Sequence, residues 1–187
     1  MTLTLAQART ILDKTLAAAR EKKLKPLGVA VVDSRGALRA YAEEDGNPIL
    51  RSKMASGKAF GSVSFGTGSR RLHQIGVERP HMAAALIEMS GGALVPVPGG
   101  VLVRDKAGAM LGAVGVSGDT SDNDEAAAIA GIEAAGFVAE TGGSRPPTAR
   151  MRSLNGLTDG HSLGAPAAPE SCVRIGSAAG PSGRKSR

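Results

Sequence analysis

The sequence predicts a mixed α/β domain built on an antiparallel sheet, and three observations carry that reading. Two β-branched runs, residues 29–32 and 101–103, each lead through an acid-to-glycine turn into a second extended run. An amphipathic helix precedes the first pair of runs, helical segments separate the two pairs, and another helix follows the second. Hairpins join adjacent strands directly and cannot supply the crossovers a parallel sheet needs.

The elements follow in order. Thr4 and Gln7 fit a capping box, in which each side chain satisfies a free backbone N–H at a helix start. Leu5, Ala8, Leu12, Leu16 and Ala19 then recur at helical spacing and predict the buried stripe. Lys22, Lys23 and Lys25 suit the negative pole of that helix, and Pro26 is expected to stop it. The first hairpin turns at Asp33-Ser34-Arg35-Gly36, where Gly36 can take a positive φ, and ends at Asp45-Gly46.

Residues 48–65 read as a helix, with Pro48 tolerable in its first turn and Gly66, Gly68 and Ser69 breaking it. A further helical region spans residues 70–89, interrupted near Gly76 and restarting around Glu78-Arg79-Pro80. Gly91-Gly92 ends it. The second hairpin joins residues 101–103 to residues 110–116 through Asp105-Lys106-Ala107-Gly108. Thr120 or Ser121 then caps a helix running to about Ala135, which Gly136 is placed to terminate in the left-handed conformation.

With 187 residues the chain has room for one ordinary domain and an appendage. Residues 141–187 carry seven basic residues against two acids, a net of +5, out of +6 for the whole chain. The body is therefore nearly neutral, and the basicity belongs to the tail. Eight glycines, five prolines and seven serines among those 47 residues leave no sustained apolar period, which predicts disorder. The expected organisation is a domain at 1–140 and a disordered Gly/Pro/Ser-rich basic tail at 141–187. Nucleic acid is a poor partner for that tail, because its charges are dispersed and no aromatics accompany them.

A single cysteine, Cys172, excludes an internal disulfide. No charged segment followed by an apolar run opens the chain, and no apolar stretch approaches the ~18 residues of a membrane span. A cytoplasmic, membrane-free protein is the expectation.

Few motifs carry chemistry. Lys58 follows Gly57, but Ser52 stands where a phosphate-binding loop needs glycine and Ala59 lacks the hydroxyl that holds magnesium. Lys58 is either a buried or pocket-facing ammonium or a snorkelling surface lysine. Gly112, Gly115 and Gly118 read as close backbone packing or as a strand edge open to a flat ligand. Four carboxylates, Asp119, Asp122, Asp124 and Glu125, crowd the start of the last helix, where they complement its positive pole. A calcium loop is excluded, since the twelfth position from Asp119 is Ala130. The alternative places Asp124 or Glu125 at a pocket as a proton-transferring group. His73, His81 and His161 are too few and scattered for a zinc site without carboxylates and read as surface or partly packed imidazoles, and no metal site is expected. His81, Met54 and Met82 are chemically able to ligate a haem iron, though their spacing singles none out.

The combined pattern resembles the GlcG/HbpS family, a module also found at the C-terminal end of PduO-type proteins. The residues that carry the resemblance are the LTLAQARTILDKTLAAAREKKLKPLGVAVVDSRGALRAY segment, Asp45-Gly46 and Lys58-Ala59. More specific still are the PGGV segment at 98–101, GAVGVSG at 112–118 and Asp124-Glu125. The resemblance covers residues 3–137. It implies a profilin-like sandwich, an antiparallel sheet flanked by helices and assembled into homo-oligomers. It also implies a ligand pocket near the PGG turn and the end of the GAVGVSG strand, formed by Asp45, Lys58, Gly99, Gly100, Ser117, Gly118, Asp124 and Glu125. The leading expectation is an oligomeric small-ligand-binding protein with haem or another tetrapyrrole as ligand. Gly99 and Gly100 would admit a planar ring, and Lys58 would pair with a propionate. The alternative is a small catabolic enzyme acting on a hydroxy or keto acid, in which Lys58 holds the carboxylate and Asp124 or Glu125 shuttles a proton. A purely structural assembly module is the third reading.

Overall fold

The computed structural model of the chain describes residues 2–143. Of the tail expected at 141–187, residues 144–187, with His161 and Cys172, lie outside the described residues. Five helices and five strands follow in the order α1 (Leu5–Glu21), β1 (Gly28–Asp33), β2 (Leu38–Glu43), α2 (Arg51–Phe65), α3 (Ser69–Glu78), α4 (Pro80–Met89), β3 (Gly100–Arg104), β4 (Met110–Ser117), α5 (Ser121–Ala134) and β5 (Val138–Glu140). The sheet order is β2-β1-β4-β3-β5, and every pair is antiparallel. The predicted α/β architecture, an antiparallel sheet flanked by helices, is the one found.

The two hairpins lie side by side because β1 pairs with β4 from Gly28↔Ser117 to Asp33↔Gly112. The side chains of the inner strands alternate between two faces. Val29, Val31, Val101, Val103, Val114 and Val116 point toward α1 and α5 and form the larger core with Ile11, Leu12 and Ile132. Val32, Leu102 and Ala113 point the other way and pack with Ala59 and Val63 of α2. Both faces of the central strands are thus covered, which is why β1 is buried at all six positions.

Local chemistry explains most boundaries. In the first turn Asp33 accepts the N–H groups of Arg35 and Ala37, and Gly36 takes φ +81°. Burial alone would raise the Asp33 carboxyl, but those backbone bonds and the Arg35 guanidinium outweigh it and hold the group below its ordinary value. The capping box at Thr4 and Gln7 is complete.

Four details of α1, α3–α4 and the sheet edge differ from the expectation. On α1, Ile11 and Thr15 are buried, whereas Leu5 is 44% exposed and Leu16 only partly covered. Thr15 is tolerated inside because its hydroxyl donates to Ile11 O at 2.8 Å and Gly131 of α5 packs directly on it. The helix also ends before Pro26. Lys23 adopts φ +53°, its N–H reaches Arg20 O, and Leu24 N–H reaches Ala19 O, so a reversed turn closes the helix after Glu21. Gly76 stays inside α3, and the break falls at Arg79, with Pro80 opening α4. A fifth strand, β5, pairs with β3 at the sheet edge through Leu102↔Glu140, Val103↔Ala139 and Arg104↔Val138. Just past it the backbone of Thr141 lies against Gly68, 2.2 Å from where a Cβ on Gly68 would stand.

Among the described residues no helix is long and apolar enough to cross a membrane.

Candidate functional site

The glycines of β3 and β4 bring α2 unusually close to the sheet. A Cβ on Gly115 would stand 1.9 Å from Ala55 O, and one on Gly100 would stand 2.4 Å from Lys58 O. Gly112 and Gly118 are equally tight, against Val32 O and Pro26 O. Close backbone packing is therefore what the glycine spacing encodes. The approach sets Lys58 of α2 directly above the end of β4.

There the Lys58 ammonium is 1% exposed and donates to Val116 O at 2.8 Å and to Asp124 Oδ2 at 2.9 Å. Asp124, in the first turn of α5, also accepts the N–H of Asp119 at 3.0 Å. Burial is the largest influence on both groups: it lowers the Lys58 pKa and raises that of Asp124, each opposed by the attraction between them. Two buried groups pushed toward their neutral forms, 2.9 Å apart, can exchange a proton.

Gly99 completes this cluster at φ +116°, with its Cβ direction blocked by Val116 O, the Lys58 ammonium and Asp124. Its carbonyl accepts Val116 N–H, and Gly100 N–H donates to Ser69 Oγ at 2.7 Å. Ser117 is buried at the strand end, accepting from Arg51 Nη1 at 3.3 Å and facing Met54 Sδ at 4.0 Å. Lys58, Gly99, Gly100, Ser117 and Asp124 thus meet in one place, as expected. Within the protomer, however, Gly99 and Gly100 face α2 and the Lys58–Asp124 pair, and Lys58 is held by its own carboxylate. Both glycines are buried in the described chain.

The remaining expected positions lie around this cluster or apart from it. Glu125 turns to Arg70 of α3, which also holds Asp122, while Glu125 Oε1 is buried without a partner. Asp119, the first carboxylate of the acidic cluster, caps the junction before α5. Hydrogen bonds from the N–H of Lys25, the Asn123 amide and the N–H of Thr120 hold its carboxyl at about 2. Gly118 packs against Pro26 and Leu27. Asp45 is exposed, two residues beyond Glu43, and β1 separates it from Ser117. His73 and His81 are exposed, as the surface reading holds.

Arg51 and Arg70 were missed, because an arginine at a helix start carries no sequence signal of the carboxylate or hydroxyl it will meet. Missed as well was a cleft of about 550 Å³ on the other side of α2. Its walls are the β1–β2 hairpin, one stripe of α2 and residues 91–95, and none of the eight expected positions lines it.

Comparison with known proteins adds the relationship. A family model described as haem degrading protein HbpS-like matches residues 3–133. The chain belongs to the HbpS-like family. A crystal structure of HbpS is 27% identical, with a TM-score of 0.62, covering 72% of this chain and 90% of that one. A double mutant of Streptomyces reticuli HbpS is similar at the same identity and TM-score, covering 72% of this chain and 87% of that one. In fold the HbpS-like chain also resembles a PduOC:haem complex, at 21% identity and TM-score 0.65, covering 73% of this chain and 97% of that one. None of the curated proteins matches the sequence. The matched span of the HbpS-like model begins one residue before the Thr4 cap of α1 and ends inside α5, so it takes in the whole cluster around Lys58.

Proposed function

We propose that this chain binds haem or another tetrapyrrole and works as a homo-oligomer. The observation that supports it above others is the family match over residues 3–133, reinforced by similarity to HbpS and by the fold shared with a PduO module whose structure holds haem. The fold also offers the volume: the cleft beside α2 is about 550 Å³, within the range of roughly 300–1,000 Å³ typical of small-molecule sites. A bound tetrapyrrole would contribute its own iron chemistry. This chain's part is to shield one face of the ring and neutralise its carboxylates. Titrating hemin into the full-length protein and following the Soret band tests the reading. Saturation at a defined stoichiometry with a shifted band is expected, and an unshifted free-hemin spectrum at equimolar protein sinks it.

A second reading keeps a specific observation. The Lys58–Asp124 pair, shifted in opposite directions by burial, suits proton transfer on a hydroxy or keto acid, with Arg51 and Ser117 adjacent to hold a carboxylate. Under this reading turnover of such an acid falls by at least ~100-fold in Asp124→Asn. Unchanged turnover in that variant removes it.

A further inference from the structure

We propose that the tetrapyrrole sits in the cleft along the outer stripe of α2, with Lys53 pairing one of its carboxylates. This rests on the haem-binding reading above.

Three elements build the cleft. Lys53, Ser56, Gly57 and Phe60 follow one another at spacings of three and one and three, which places them on a single stripe of α2. Val32 and Leu38 of the first hairpin form the facing wall, and the Phe60 ring lies under Gly36 at its tip. Residues 91–95 close the third side. They are held there because Val95 N–H donates to Gly57 O at 3.2 Å, and because Gly57 has no side chain; a Cβ would stand 2.6 Å from Val95 Cγ2.

The chemistry of these walls suits a flat apolar body with an anionic edge. Val32, Leu38, Met54, Phe60 and Val95 supply apolar surface, and Leu38 leaves 57% of itself to solvent at the mouth. Lys53 is exposed and forms no ion pair among the described residues. It also stands in the first turn of α2, where there is no acid and where a cation opposes the positive pole of the helix. An anion beside Lys53 answers both defects. Lys58, five residues on, is already committed to Asp124.

The lining contains no histidine, cysteine, aspartate or glutamate, and the sulfur of Met54 faces Ser117 Oγ at 4.0 Å. Recognition therefore reads the ring and its carboxylates more than the iron. Metal-free protoporphyrin IX is expected to bind with the same dependence on cleft residues as hemin.

The experiment titrates hemin (Soret absorbance) and protoporphyrin IX (fluorescence) into the full-length protein and three variants. Ser56→Trp fills the cleft and is expected to weaken both ligands by at least about thirtyfold. Lys53→Glu reverses the carboxylate's partner and is expected to weaken both by about tenfold, with an unchanged thermal midpoint. Lys106→Glu, in the turn between β3 and β4, is the charge-matched control and should bind like wild type. If Ser56→Trp fails to fold, Leu38→Glu at the exposed mouth replaces it, with the same expected loss. Hemin binding that is equal in wild type and in all cleft variants overturns this location while leaving the haem reading standing. Wild type that binds neither ligand overturns both.

Discussion

Two lysines five residues apart on α2 live in opposite surroundings. Lys58 is buried at the closest helix–sheet contact, shares a proton-bearing pair with Asp124, and is bounded by glycine backbone. Lys53 stands exposed at the rim of an apolar cleft with no carboxylate beside it. The inner lysine is the more eye-catching in chemistry, yet its bonds are all internal. The outer one has an unfilled electrostatic need. A buried charge is retained only with its partners, so the availability of a side chain, and not its burial, marks where a ligand can be held.

The sharpest way to break the comparison is to remove the inner amine. Lys58→Met strands a buried carboxylate and is expected to destabilise the fold by about 3–5 kcal/mol, measured by urea denaturation. Replacing both partners, Lys58→Met with Asp124→Leu, should restore most of that loss. A double variant no more stable than the single one would show that the pair does more than neutralise itself.

Next in size is the contact that brings the inner stripe down. Gly115→Ala forces a methyl into Ala55 O and should cost about 2 kcal/mol by the same measurement, through overpacking. Full stability in this variant would mean α2 can lift from the sheet.

A smaller effect is expected on changing pH. Burial raises the folded-state pKa of Asp124 above 3.8, so the native state holds a proton the unfolded chain has released, and stability falls as pH climbs past 3.8. Burial lowers that of Lys58 below 10.5, so there the unfolded chain holds the extra proton and stability recovers as pH climbs toward 10.5. Relative to the double apolar variant, wild type should therefore show its lowest urea midpoint between those values. A flat difference across the range would contradict the assigned directions.

Smallest of all is Lys53→Gln, which should change stability by less than about 0.5 kcal/mol, since that side chain touches no partner. A larger loss in thermal or urea midpoint would make the outer lysine structural too.

The fold was readable where local chemistry decides it. Asp33 and Gly36 announce their turn, Thr4 and Gln7 their helix start, and the glycines at 112, 115 and 118 their close packing. It was less readable where distant residues decide. Thr15 goes inside α1 because Gly131 of α5 lies over it, a fact no helical period contains. The strand β5 has three residues and gains its identity only from β3, some 36 positions earlier. The site divides along the same line. The gathering of Lys58, Gly99, Gly100, Ser117 and Asp124 was legible through family resemblance. That Lys58 would be consumed by Asp124, 66 residues away, was not. Nor was the cleft, whose three walls come from separate stretches of chain and whose lining residues look ordinary one at a time.

The contact between Thr141 and Gly68 bears on where this chain can be shortened. A boundary drawn at 140 from composition would discard the residues seated over the start of α3, baring a glycine N-cap whose helix carries Ser69 and Arg70 toward β3 and α5. Trimmed versions for crystallisation or spectroscopy should keep Thr141, Gly142 and Gly143. The lesson is that the first few amino acids past a change in composition can still be masonry.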